Sequence, residues 1–247
     1  MAMLQQVTGG FIANRFGDPP FAVLALPGWM RTASDFNGVL HGMAALAIDL
    51  PGFGGAQPPP PLPWSTREYA DALLPVLDTF AEPPIVVGHS FGGRVAIQLA
   101  TARPTLIRAL VLTGVPQLVA HPKAKPSLSL RSFRALRKMR LVSDERVEVW
   151  KKQHGSLDYR NAVGVMRDIL VKAVNEDYEE QLRSLSVPTS FIWGENDTAA
   201  PLVDVRRALE LVLPGEATLQ VLEGVGHLTP TEAPNSIASA ILGHSIS

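Results

Sequence analysis

Six short, almost wholly apolar runs punctuate the chain, at residues 21–26, 46–50, 85–87, 109–112, 190–193 and 218–222. Each ends at or near a glycine: Pro27-Gly28, Pro51-Gly52, Gly88, Thr113-Gly114, Gly194 and Gly224. Hydrophobicity that is continuous rather than alternating predicts strands covered on both faces, the habit of parallel sheets. Longer segments between the runs carry apolar residues at helical intervals. Ser65-Thr66-Arg67-Glu68 has the spacing of a capping box, and Tyr69, Leu73, Val76, Leu77 and Phe80 then recur with helical period. Further helices are predicted over 90–102, closed before Pro104, over 202–213, closed before Pro214-Gly215, and over 232–242, closed near Gly243. Alternating strands and helices predict an α/β fold with a mostly parallel central sheet flanked by helices. Residues 57–63 contain five prolines and predict an extended loop.

One stretch breaks the alternation. From 116 to 185 the strand-like runs disappear and helical composition takes over. The predicted division is therefore residues 1–115 as the first part of a core, 116–185 as a helical cap over the strand ends, and 186–247 as the rest of the core.

Composition narrows the picture mainly by exclusion. A chain of 247 residues can bury a large core. The formal net charge of −1 gives no global attraction to nucleic acid or to an anionic membrane. With no cysteine, the chain has no disulfide, no thiolate metal site and no cysteine nucleophile. No other residues cluster with metal-ligand spacing, so neither metal nor cofactor is expected. No apolar run reaches the roughly 18 residues of a membrane span. Met1 to Thr8 lacks a basic segment followed by an apolar one. A soluble, cytoplasmic protein is expected, and the sequence is silent on its oligomeric state.

The candidate chemistry begins at Gly88-His89-Ser90-Phe91-Gly92, a G-x-S-x-G string directly after an apolar run and directly before a helical one. In that context the glycines permit a sharp turn, and the serine sits strained with its Oγ projecting above the strand ends. The backbone N–H of Phe91 points at the same spot. A serine hydroxyl needs a base. Among six histidines, His227 lies in Gly224-Val225-Gly226-His227, just beyond the last apolar run, where a base can reach Ser90. His89 adjoins the serine in sequence, but a strained elbow turns its side chain elsewhere. A base needs an acid to hold its tautomer. Asp197 follows the fifth run, with Glu195 two residues away as the alternative acid.

Several blocks in order resemble the α/β-hydrolase superfamily, of the small single-cap type: Leu26-Pro27-Gly28-Trp29, Asp49-Leu50-Pro51-Gly52-Phe53-Gly54, Gly88 to Gly93, Gly194 to Asp197 and Gly226-His227. The order Ser90, Asp197, His227 matches that architecture. The resemblance implies the α/β-hydrolase fold and a second oxyanion-hole donor at the backbone N–H of Trp29, beside that of Phe91. Pro27 stands where relatives usually carry histidine. A serine at the elbow argues against the dehalogenase and epoxide hydrolase chemistry of the superfamily, which uses aspartate there. It favours acyl transfer on a small carboxylic ester, with thioesters and lactones as close variants.

Met30, Phe53 and Leu228 flank these positions and are candidates to line a substrate pocket, with Trp150 contributed by the cap. Trp29 and Phe91 could add their rings to it. Seven basic and no acidic residues lie between His121 and Ser143, among them Arg134, Arg137, Lys138 and Arg140. They read better as a solvated face balanced by Asp144, Glu145 and Glu148 than as a site for an anionic substrate. Arg94, after the elbow glycines, is similar to the same position in MenH-like lyases. That keeps open a lyase or a carbon–carbon bond hydrolase using the same three residues. A ligand-binding receptor with vestigial hydrolase activity is the non-enzymatic alternative.

Overall fold

All six apolar runs are strands of one sheet in the computed structural model, which describes residues 3–54, 58–120 and 157–245. The strands are β1 (Met3–Gln6), β2 (Ile12–Phe16), β3 (Val23–Leu26), β4 (Ala45–Ile48), β5 (Ile85–His89), β6 (Ala109–Thr113), β7 (Thr189–Gly194) and β8 (Ala217–Leu222). Their order across the sheet is β1-β2-β4-β3-β5-β6-β7-β8. From β4 to β8 every neighbouring pair is parallel, while β1 and β2 pair antiparallel with each other and β2 with β4.

The described helices are α1 (Thr66–Leu77), α2 (Phe91–Ala102), α3 (Leu157–Asn161), α4 (Val165–Ala173), α5 (Glu179–Ser184), α6 (Leu202–Leu211), α7 (Thr229–Glu232) and α8 (Pro234–Ser245). The predicted capping box opens α1. Ser65 Oγ accepts from the Glu68 N–H at 3.3 Å, and Glu68 Oε2 accepts from the Ser65 N–H at 2.6 Å. The helix stops at Leu77 rather than Phe80, two residues past an internal Pro75. The N–H groups of Thr79 and Phe80 instead close tight turns onto Val76 and Leu77.

Every residue of β3 to β7 is buried, as continuous apolar runs demand. Alternate side chains enter opposite layers. Leu24, Leu26, Leu46, Val86, Leu110 and Leu112 pack with Tyr69 and Leu73 of α1 and Val95 and Leu99 of α2. Ala25, Ala45, Ala47, Val87 and Val111 face Phe36, Leu40 and, from α8, Ile237 and Ile241. The second layer carries smaller strand residues. Ten of the twelve residues of α2 are buried, so this helix is enclosed on all sides rather than amphipathic.

The order 4-3-5 positions the site. After β3 the chain turns to one side to form β4, then crosses back to form β5 on the other side. Connections diverge there and leave a crevice outside the carboxyl ends of β3 and β5. The turn after β3 and the elbow after β5 are thereby brought side by side.

Residues 121–156 of the expected cap lie outside the described residues, and so do Trp150 and the seven basic residues from Lys123 to Arg140. The remainder, 157–185, is helical in α3, α4 and α5. It is tied to the core by polar contacts. The Glu176 carboxylate accepts from Thr66 Oγ1 at 2.6 Å and from Tyr178 Oη at 2.8 Å, at the start of α1. Lys172 Nζ donates to the Pro63 carbonyl at 2.9 Å. Among the described residues no helix is long and apolar enough to cross a membrane.

Candidate active site

Ser90 is the residue between β5 and α2, and its backbone is in the left-handed region at φ 51°, ψ −113°. A side chain there is strained, and the elbow holds it by close packing and backbone bonds. The Ser90 N–H donates to the Thr113 carbonyl at 3.0 Å, and the Arg94 N–H donates back to the Ser90 carbonyl at 3.2 Å. Gly88 and Gly93 must both lack side chains, since a Cβ on Gly88 would lie 2.5 Å from the Gly93 Cα. The hydroxyl therefore stands at the N-terminal end of a twelve-residue helix, where the helix dipole favours negative charge.

Three of the residues singled out in the sequence come together here. His227 Nε2 lies 3.2 Å from Ser90 Oγ, and His227 Nδ1 lies 2.8 Å from Asp197 Oδ2. The Asp197 side chain is fully buried, and that of His227 is 27% exposed. The other oxygen of Asp197, Oδ1, accepts from the N–H groups of Ala199 at 2.9 Å and Ala200 at 2.8 Å. Glu195 instead faces the Gly224 N–H, 3.4 Å from its Oε2, at an exposed position. Of the two acids, Asp197 is the one bonded to the ring.

The geometry follows from the sheet. Ser90 leaves β5 and Asp197 leaves β7, two strands away, or about 9.6 Å at the usual spacing. His227, arriving from beyond β8, must bridge them across the end of β6. Gly114 occupies that end, at φ 57°. A Cβ there would sit 3.1 Å from His227 Nδ1 and 3.2 Å from Asp197 Oδ2. Glycine supplies both the backbone conformation and the clearance.

Trp29 and Phe91 lie in the two turns that flank the crevice. Their rings meet edge to face at 5.4 Å, and each also meets Phe53, at 4.9 and 5.7 Å. Phe53 is buried, as expected of a pocket wall or a core residue, whereas Met30 is more than half exposed and Leu228 partly so. Among the described residues, neither the Trp29 nor the Phe91 backbone N–H is bonded to another group of the protein. Met166 of α4 packs against Gly52, beside Phe53, while Val163 is exposed.

Arg94 is buried beneath this region. Its Nη1 donates to the Ala173 carbonyl at 2.5 Å and its Nη2 to Gln117 Oε1 at 3.0 Å. Burial pulls its pKa down from the ordinary value, against the pull of Tyr178 and Glu176. The guanidinium thus joins α2 to the last residue of α4 and to the loop after β6.

Three further residues serve the site without having been singled out for it in the sequence. Gly114 carried only the signal of a glycine closing a strand. Glu232 of α7 accepts from the Gly226 N–H at 2.5 Å and so holds the turn that carries His227. His89 does turn away from the serine hydroxyl, as the elbow demands, but toward the His227 backbone: its Nε2 lies 2.9 Å from the His227 carbonyl oxygen. Burial lowers its pKa to about 4, with a further push from His227, while the His227 carbonyl, Asp35 and Asp197 oppose the shift.

The chain matches the model of the alpha/beta hydrolase family over residues 23–240. It is 22% identical over 245 residues to the uncharacterized hydrolase YugF of Bacillus subtilis, covering 89% of this chain and 88% of that one. It is 25% identical over 219 residues to a pimeloyl-[acyl-carrier protein] methyl ester esterase of Aeromonas hydrophila, covering 78% and 83% of the two chains. Its fold is similar to that of a meta-cleavage product hydrolase from Pseudomonas fluorescens, with a TM-score of 0.68, 20% identity and coverage of 99% and 97%.

Proposed function

The chain belongs to the alpha/beta hydrolase family, and on that premise we propose that it is a serine hydrolase of small carboxylic esters, thioesters and lactones being close variants. The observation that carries this reading is the pair of contacts from Ser90 Oγ to His227 Nε2, 3.2 Å, and from His227 Nδ1 to Asp197 Oδ2, 2.8 Å. Asp197 fixes the tautomer in which Nδ1 holds the proton, so Nε2 is free to accept one. His227 takes the Ser90 proton as Oγ attacks the ester carbonyl. The backbone N–H groups of Phe91 and Trp29 receive the negative charge that develops on the carbonyl oxygen. Each such donor is worth about 2.7–4 kcal/mol of barrier in other serine hydrolases. His227 then passes the proton to the departing alkoxide, leaving an acyl group on Ser90. Water enters, gives a proton to His227, and attacks the acyl carbon; as the bond from that carbon to Ser90 Oγ breaks, His227 returns the proton to Oγ and the carboxylic acid leaves. Phe53, Phe91 and Trp29 offer an apolar wall for the acyl group, and residues 116–185 are proposed to cap it. The similarity to a methyl ester esterase supports the ester class.

The test is turnover of p-nitrophenyl esters from acetate to dodecanoate by the wild type and Ser90→Ala. Turnover that peaks at one chain length and is lost in Ser90→Ala, with circular dichroism unchanged, is expected. More than about a tenth of wild-type activity in Ser90→Ala would remove Ser90 as nucleophile. No turnover of any ester would reject the ester class and move the same three residues to carbon–carbon bond hydrolysis or elimination.

A further inference from the structure

We propose that His89 is a positioning residue for His227, a brace that fixes the base to the elbow through the His227 backbone. The proposal rests on the reading of Ser90, His227 and Asp197 as a catalytic unit.

A polar ring with 1% of its surface exposed requires a reason to be there. Its one hydrogen bond joins Nε2 to the His227 carbonyl oxygen at 2.9 Å. A carbonyl can only accept, so Nε2 carries the proton. Burial disfavours the doubly protonated ring, whose pKa falls to about 4, so Nδ1 is bare. Nδ1 has no partner and lies against Gly28, where a Cβ would come within 2.9 Å of it. One ring thus touches the turn leading to Trp29, belongs by its own backbone to the elbow, and bonds to the turn that carries the base.

The need for such a brace is local. His227 follows Gly224-Val225-Gly226, a turn with little side-chain packing of its own. Asp197 fixes the ring from the front, and Glu232 holds the Gly226 N–H. Neither refers the turn to Ser90. His89 does, because adjacent Cα atoms are fixed about 3.8 Å apart. The 3.2 Å gap between Oγ and Nε2 is therefore spanned from behind by one peptide unit and one hydrogen bond.

The experiment uses the full chain in three forms: wild type, His89→Phe, which keeps a ring without the donor, and His89→Gln, whose amide can reach the same carbonyl. Long-range ¹H–¹⁵N spectra of the imidazoles are recorded from pH 4 to 9, and p-nitrophenyl butyrate kinetics at pH 8. At pH 7 His89 should be the Nε2–H tautomer, with no titration above about pH 5. His89→Phe should lower kcat about 10²-fold, the cost of misplacing a reacting group by about an ångström, with KM little changed. His89→Gln should recover most of that loss. A bare Nε2, titration near pH 6.5, or wild-type kcat in folded His89→Phe overturns the proposal. So does equal impairment of His89→Gln and His89→Phe, which is what a purely space-filling role gives. If His89→Phe does not fold, the tautomer and the kinetics of His89→Gln decide. Turnover in Ser90→Ala above about a tenth of wild type would refute the catalytic unit instead, and the wild-type spectra would still report the hydrogen bond.

Discussion

Replacing Asp197 by asparagine changes one atom, and the surroundings dictate which. Two backbone N–H groups, from Ala199 and Ala200, point at Oδ1, while Oδ2 meets His227 Nδ1. Asparagine must present its oxygen to the two N–H donors, since its NH₂ there would oppose both. Its NH₂ then faces His227 Nδ1 and turns that nitrogen into an acceptor. The ring responds by carrying its proton on Nε2, opposite Ser90 Oγ, where a base is needed. The equivalent exchange in a serine protease lowers kcat about 10⁴-fold, or about 5.4 kcal/mol at 1.36 kcal/mol per decade. The fold should hardly notice. Both backbone bonds survive, weakened from charged to neutral acceptors, a loss of about 1–2 kcal/mol and a few degrees in Tm. The assay is kcat on the best p-nitrophenyl ester, paired with thermal melts, with Glu195→Gln as the control. Asp197→Asn at more than a tenth of wild-type kcat, or Glu195→Gln as impaired as Asp197→Asn, would refute this account of the acid.

Two other outcomes are expected. Gly114→Ala must place a Cβ about 3.1 Å from His227 Nδ1 in a left-handed backbone; kcat should fall with little change in KM, and stability should drop by about 1–2 kcal/mol, read from denaturant melts. A wild-type kcat in Gly114→Ala would mean that the His227–Asp197 pair has slack the geometry denies. The second concerns pH. Between pH 6.5 and about 4 the unfolded chain binds a proton at His89 that the folded chain refuses. Stability should therefore fall as pH drops through that window, by about 3 kcal/mol in total from this residue. His89→Gln should show a shallower fall than wild type by that amount, and parallel curves from urea melts would contradict it.

The sequence was most legible where burial dictates residue type. The runs at 85–87 and 109–112 are strands because both faces of β5 and β6 are covered, and only apolar residues tolerate that. The β1–β2 hairpin was missed for the converse reason. No residue of Met3–Gln6 is buried, and its strand is held by backbone pairing with β2, which leaves no hydrophobic trace. At the site, the glycines around Ser90 and the loop position of His227 carry their signal locally. The choice between Asp197 and Glu195 does not, because it depends on where the N–H groups of Ala199 and Ala200 point. His89 was legible as a residue turned away from the Ser90 hydroxyl, but its partner lies 138 positions further on, across the sheet. Spacing rules see along an element and not across to its neighbours.

The separation of 137 residues between Ser90 and His227 also bears on how the protein is made. During synthesis the serine emerges first and the histidine last, on the order of ten seconds later at typical elongation rates. Through that interval the nascent chain carries Ser90 without the base proposed for it, and its hydroxyl is an ordinary alcohol. On the proposed reading, reactivity switches on only after β8 has paired with β7 and closed the far edge of the sheet. On the same reading, turnover therefore reports assembly of the sheet's far edge: a copy that stops short of His227, or that has not yet paired β8 with β7, is silent.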